Sequence, residues 1–155
     1  MLPFSGTANR IAAPSPPVTR RRYLGRLSGP LLDRVDLRVR LDPVKTVALL
    51  GDHGAESSAV VAGRVAAART AAATRWGEDR SNTTVPTHTL RDRRFRLSRA
   101  VTEPLAMELD QGLLSARGFF RVIRTAWTMA DLDGRTRPDK GDVAEAIELR
   151  RGTAA

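Results

Sequence analysis

Residues Ser115–Leu132 read SARGFFRVIRTAWTMADL, and their reading decides the fold. Taken as a helix, the stretch divides into two faces. Ala116, Phe119, Phe120, Ile123, Trp127 and Ala130 recur at three- and four-residue steps, which lays them along one apolar stripe. Arg117, Arg121 and Arg124 fall at i, i+4 and i+7 and line up along another. Ser115 suits the N-cap, where its hydroxyl accepts a bond from an unpaired early N–H. Asp133 and Gly134 follow the end, and glycine takes the left-handed turn that closes a helix. The three arginines are either a solvated face or a set aimed at phosphate.

The 155 residues around this helix suffice for one ordinary domain. Aromatic content is only 5%, so the core must rest on Leu, Val, Ile and Ala. The net charge of +9 points to an anionic partner such as nucleic acid or a nucleotide. All but Lys45 and Lys140 of the basic residues are arginine, and abundant Arg and Ala also mark a GC-rich genome. The charge therefore has two explanations. The absence of cysteine excludes disulfides and thiolate metal sites. His53 and His88 are far apart, and neither begins a ligand-spaced pair, so each reads as an ordinary surface or loop histidine. No apolar run approaches the roughly 20 residues of a bilayer span, and the N-terminus lacks a signal-type apolar region. A soluble cytoplasmic protein without membrane association is expected.

Upstream, residues 1–19 are rich in Pro and small polar residues and read as an irregular, mobile segment. The basic run Arg20–Arg22 leads into Tyr23–Leu27, and Leu31–Arg34 has the length of one helical turn. Val35, Leu37, Val39 and Leu41 alternate with Asp36, Arg38 and Arg40, so a strand is expected there, ended by Pro43. A lone strand cannot satisfy its own backbone groups, and the rest of the chain offers no good partner. Val44–Leu50 is apolar and breaks at Gly51–Gly54. From Glu56 to Trp76, Val61, Val65, Ala68, Ala72 and Trp76 mark a long amphipathic helix stopped by Gly77, after which 77–89 reads as loop.

Leu90–Arg99 is dense in arginine: Arg91, Arg93, Arg94, Arg96 and Arg99, with Phe95 among them. One reading makes the segment a contact to the nucleic-acid backbone with Phe95 stacked on a base. The other, favoured because one aromatic is a thin platform, makes it a solvated connector with Phe95 and Leu97 tucked into the core. Thr102–Asp110 reads as a helix with Pro104 in its first turn, Leu105 and Leu109 inward, and Gly112 closing it. After the linker Arg135–Pro138, Asp139 caps a last helix, Lys140 to Arg150, whose apolar side is Val143, Ala146 and Ile147. The class is mainly α, with one strand near the front and helices behind it.

Two segments, RRRYLGRLSGPLLDRVDLRVRL (20–41) and LLSARGFFRVIRTAWTMADLDGRTRPDKGDVAEAIELR (113–150), resemble the C-terminal half of magnesium-chelatase-like AAA+ ATPases of the ComM/YifB type. RWGEDRSNTTVP (75–86) is consistent with the same family. The resemblance implies the end of an AAA+ core over residues 20–50 and a helical lid domain over 55–152. It implies that Arg34, in the L-L-D-R segment, is an arginine finger reaching the γ-phosphate held by a neighbouring subunit. It implies that Arg117, in S-x-R, is of the sensor-2 type and contacts the subunit's own nucleotide, with Arg124 at a second recurrent arginine position. ATP and Mg²⁺ follow from the family only, as do ring partners and DNA-directed recombination. The physics agrees: a permanently charged planar guanidinium stabilises a transferring phosphoryl group, and such fingers are worth about 10³–10⁵ in rate.

The departures are as informative. The sequence holds no G-x-x-x-x-G-K-S/T loop and no apolar run ending in an acidic pair for Mg²⁺. Ala13-Pro14-Ser15-Pro16 stands where the family has a cysteine-bearing loop. The sequence therefore reads as a truncated relative that does not hydrolyse ATP alone. The alternative is a basic helical DNA-binding module drawing on Arg20–Arg22 and Arg91–Arg99.

Overall fold

The computed structural model describes residues 18–19, 21–22, 31, 33–39 and 56–152. Two compact units divide the chain, Met1–Arg34 and Val35–Ala155. In the first, residues 18–19, 21–22 and 31 are helical, and the Arg34 N–H donates to the Leu31 carbonyl at 3.0 Å. The irregular start over 1–17, Tyr23–Leu27, Arg40, Leu41, Pro43, Val44–Leu50, the Gly51–Gly54 break and His53 lie outside the described residues.

The second unit contains five helices: α1 (Ser58–Trp76), α2 (Thr87–Arg91), α3 (Arg99–Asp110), α4 (Ala116–Leu132) and α5 (Lys140–Arg151). Helix α4 is the hub, packing against α1, α3 and α5, while α3 also packs on α5. Three neighbours widen its buried arc beyond one narrow stripe. Val122, Ile123, Ala126, Trp127 and Ala130 are buried, Phe119 and Phe120 are half-buried, and Ala116 is exposed. The expected stripe thus omitted Val122 and Ala126 and wrongly included Ala116. Around this hub the core gathers Trp76, Val85, Leu90, Leu97, Leu105 and Val143. Fully burying a side chain such as Leu105 is worth about 1.5–3 kcal/mol against leaving it in water.

Helix ends follow from local chemistry. The Ser57, Ser98 and Ser115 hydroxyls each accept from an amide three residues on. Gly77 closes α1 at φ 97°, its N–H donating to the Ala73 carbonyl at 2.8 Å. Asp139 and Asp142 form a reciprocal capping box at the start of α5.

Several expectations are corrected. Residues 35–39 form no strand; the Arg38 N–H instead donates to the Leu149 carbonyl at the end of α5, at 2.7 Å. Alternation alone does not make a strand when no ladder partner is at hand. Helix α3 begins at Arg99 rather than Thr102, because Ser98 caps it. Pro104 therefore lies past the first turn and has no N–H to offer the Ala100 carbonyl. Leu109 is exposed although Leu105 is fully buried. In α1 the stripe packs only at its C-terminal half: Ala68, Ala72 and Trp76 are buried, and Val61 is exposed. Helix α2 occupies part of what reads as loop and connector.

Candidate functional site

The start of α4 carries Arg117. Ser115 turns the chain into the helix and accepts from the Gly118 N–H at 3.0 Å. Gly118 is closely packed: a Cβ there would meet Leu114 Cδ1 at 2.6 Å and the Arg150 Nε and Nη2 at 3.1 Å, so those side chains would have to shift. Arg150 is itself buried and donates from Nη1 to the Val35 carbonyl at 2.9 Å. The first turn of α4 thus rests on a side chain that also fastens residue 35. Arg117 points away from this packing: it is exposed and has no hydrogen-bond or ion-pair partner among the described residues. The unpaired amides of a first turn add a positive end beside it.

The other two arginines of the expected row behave differently. Arg121 is half-buried and pairs with Asp36. Arg124 turns inward, donating from Nε and Nη2 to the Val85 carbonyl at 3.2 and 2.9 Å, and from Nη2 to Thr87 Oγ1 at 3.2 Å. Burial, and secondarily the Arg121 charge, lower its pKa from the ordinary value, against an opposing pull from Asp36. Its visible work is to hold the chain entering α2. Arg34 lies in the other unit, exposed, on its own turn.

The arginine-dense segment is a fixed connector. Arg137 Nη2 donates to the Arg94 and Arg96 carbonyls at 3.0 and 3.1 Å, and the Arg94 N–H donates to Asp92 Oδ1 at 2.8 Å. Phe95 lies against Trp76, ring centroids 4.7 Å apart, and Leu97 is buried. Of the two readings of these apolar residues, the geometry is the tucked one. Arg91 lies over the Phe120 ring at 5.0 Å and Arg94 over Phe95 at 5.2 Å. Arg93, Arg96 and Arg99 are exposed, as is His88.

A buried polar cluster was not foreseen. Asp131, its side chain fully buried, accepts from both ends of the Arg75 guanidinium, at 3.1 Å from Nη1 and in closer contact from Nη2. Asn82 Nδ2 donates to Asp131 Oδ2 at 2.8 Å and to Thr128 Oγ1 at 3.1 Å, while Asn82 Oδ1 accepts from the Trp76 indole at 2.7 Å. Arg75 also lies over the Trp127 ring at 4.2 Å. The signal was present: Asp131 is four residues after Trp127, on the face expected to be apolar. A second cluster surrounds Arg135, which donates to both Asp142 oxygens at 2.6 Å, to Asp139 at 3.0 Å and to Asp133 at 2.8 Å. These bonds raise the Arg135 pKa. Burial alone would raise that of Asp142, yet its bonds from Arg135 and the Asp139 amide bring it below the ordinary value.

Among the described residues no three His, Asp or Glu side chains converge as a metal set. No described helix is long and apolar enough to cross a membrane.

A hub helix opened by Ser-x-Arg-Gly, locked by a buried Arg–Asp–Asn cluster and followed by a capping-box helix, defines a helical C-terminal domain of the magnesium-chelatase class. The family model for the C-terminal part of magnesium chelatase subunit ChlI matches residues 55–150, and that for subunit ChlI matches 5–49. The chain belongs to this magnesium-chelatase-like family and corresponds to the C-terminal part of its ComM/YifB-type members. An uncharacterized protein of Mycobacterium tuberculosis is 51% identical over 135 residues, covering 86% of this chain and 26% of its own. Competence protein ComM of Haemophilus influenzae is 32% identical over 153 residues, covering 95% of this chain and 28% of its own. YifB of Salmonella typhimurium is 31% identical over the same length and shares. The chain spans about a quarter of the length of these curated relatives.

Proposed function

We propose that this chain is a lid-bearing portion of an ATP-driven AAA+ ring protein that supplies phosphate-facing arginines without hydrolysing ATP alone. Residues 1–19 precede the tail of the ATPase core over 20–50, and 55–152 form the lid. Arg117 acts in the sensor-2 role on nucleotide phosphate, and Arg34 acts in trans as the finger toward a neighbouring subunit's triphosphate. The observation that carries this reading is the exposed Arg117 guanidinium on the capped first turn of α4, which has no partner among the described residues. A guanidinium kept in water, beside unpaired helix amides, is available to an outside anion. Arg124 is assigned a lesser part at the nucleotide, since its donors already serve Val85 and Thr87. In full-length relatives the same arrangement drives a cytoplasmic ring motor that remodels DNA during recombination. The competence name of the Haemophilus relative fits this task. The rival reading, a DNA-binding module drawing on Arg20–Arg22 and Arg91–Arg99, loses its aromatic platform because Phe95 is packed on Trp76.

The test mixes the purified chain with a full-length relative and follows ATP turnover. Co-purification and a changed rate, lost in Arg34→Ala and Arg117→Ala, are expected. ATP hydrolysis by the chain alone, abolished by Arg117→Ala, would overturn the proposal.

A further inference from the structure

A second site lies between the connector and α4. A groove of about 520 Å³ runs between Arg91, Arg96–Arg99 and Thr102 on one side and Phe119, Phe120 and Ile123 on the other. Its floor is apolar: Leu97 and Ile123 are buried, and Phe119 and Phe120 are half-buried and packed edge to face at 5.3 Å. Its rim is cationic. Arg91, Arg96 and Arg99 are exposed, and among the described residues none is in an ion pair and no carboxylate lines the groove. Glu103 of α3 is paired with Lys140 at 3.5 Å. The rim is held in place, because Arg137 fastens the carbonyls of Arg94 and Arg96. Two phenylalanines faced by guanidiniums that form no ion pair among the described residues complement a ligand with an apolar part flanked by anionic groups.

We propose that this groove docks an acidic segment of a partner protein, with a Phe or Leu anchor set between Asp and Glu residues. Charge complementarity and the apolar floor together select this occupant over a nucleic-acid strand. A strand would match the rim charge but needs a free aromatic face for its bases. Here Arg91 covers the Phe120 ring, Phe119 is turned edge to face against it, and Phe95 is spent on Trp76. An extended peptide instead lays one apolar side chain on the groove floor, beside the paired phenylalanines and against Leu97 and Ile123, while its carboxylates meet Arg96 and Arg99. The site is independent of any nucleotide role of Arg34 and Arg117.

The test uses the full chain and a fluorescein-labelled peptide, Asp-Glu-Phe-Asp-Glu-Leu-Asp-Glu, with anisotropy as the readout at low salt. Saturable binding is expected, weakened about tenfold by Arg96→Glu with Arg99→Glu, and unchanged by Arg93→Glu, which lies outside the groove. The same peptide with Ser in place of Phe and Leu is expected to bind several-fold more weakly. Amide shifts in NMR spectra are expected at Leu97, Phe119 and Ile123. Should circular dichroism show the double variant misfolded, Arg99→Gln gives the same comparison at a smaller expected loss. Absence of binding, an equal loss in Arg93→Glu, or indifference to the Ser replacement would overturn the proposal. So would an oligo-dT strand that binds more tightly and depends on the same arginines.

Discussion

Arginine does two different jobs in this molecule. Around α4 and α5, Arg75, Arg124 and Arg150 are turned inward, each donating to a named carboxylate or carbonyl. At the start of α4 and along the connector, Arg117, Arg93, Arg96 and Arg99 stand in water. The residue type is the same, and the chain's excess positive charge is shared between both sets. What separates them is whether an acceptor was built opposite. A buried guanidinium without one costs several kcal/mol, so inward arginines must be paired, whereas outward ones leave their attraction for another molecule. Net charge counts both sets alike, and only the second speaks to function.

The comparison is broken most severely by stranding an inward arginine. Asp131→Ala removes the buried carboxylate shared by Arg75 and Asn82. Taking one partner from such a pair costs about 3–5 kcal/mol, which urea unfolding measures as a large fall in midpoint. A loss under about 1 kcal/mol would mean that water reaches Arg75 and that the cluster is no lock.

Next comes the turn beneath Arg117. Gly118→Ala places a methyl 2.6 Å from Leu114 Cδ1 and 3.1 Å from the Arg150 guanidinium. Overpacking of this kind costs about 1–3 kcal/mol. The substitution therefore tests whether α4 is seated on Arg150, and an unchanged unfolding midpoint would show that it is not.

The capping box sets a smaller scale and carries a pH dependence. Asp139→Ala removes an N-cap whose oxygen accepts from Gly141 and Asp142, a loss of about 1 kcal/mol. Asp142 has its folded-state pKa held below the ordinary 3.8. Its contribution is complete above about pH 4, the unfolded-chain value, and disappears as pH falls through the lower folded value. Acid unfolding of Asp142→Asn is expected to be shallower than that of the parent chain below that pH, and parallel curves would remove Asp142 from the account.

Helix existence was legible from spacing, and helix role was not. The period through Phe119, Ile123 and Trp127 located α4, and Asp139 located the start of α5. A hub with three helical neighbours, however, buries more than the narrow stripe that periodicity draws, so Val122 and Ala126 were overlooked. Alternation over 35–39 misled because a strand is decided by its ladder partner, and here the partner is the end of α5. At the candidate site, the i, i+4, i+7 spacing joined Arg117, Arg121 and Arg124 into one row. The structure divides that row into one solvated, one ion-paired and one carbonyl-capping arginine. Spacing fixes the side of a helix, while acceptors such as Asp36 and the Val85 carbonyl come from chain far away in sequence.

The smallest stability effect is the most telling for function. Arg117→Ala deletes an exposed side chain with no partner among the described residues, so unfolding is expected to move by no more than about 0.5 kcal/mol in either direction. Arg124→Ala, by contrast, leaves the Val85 carbonyl and the Thr87 hydroxyl without their guanidinium and is expected to cost about 1–3 kcal/mol. Measured side by side, the two substitutions sort structural from outward-facing arginines on a single helix. If Arg117→Ala proved as damaging as Arg124→Ala, the guanidinium at 117 would belong to the packed set, and its availability to a phosphate would be lost with it.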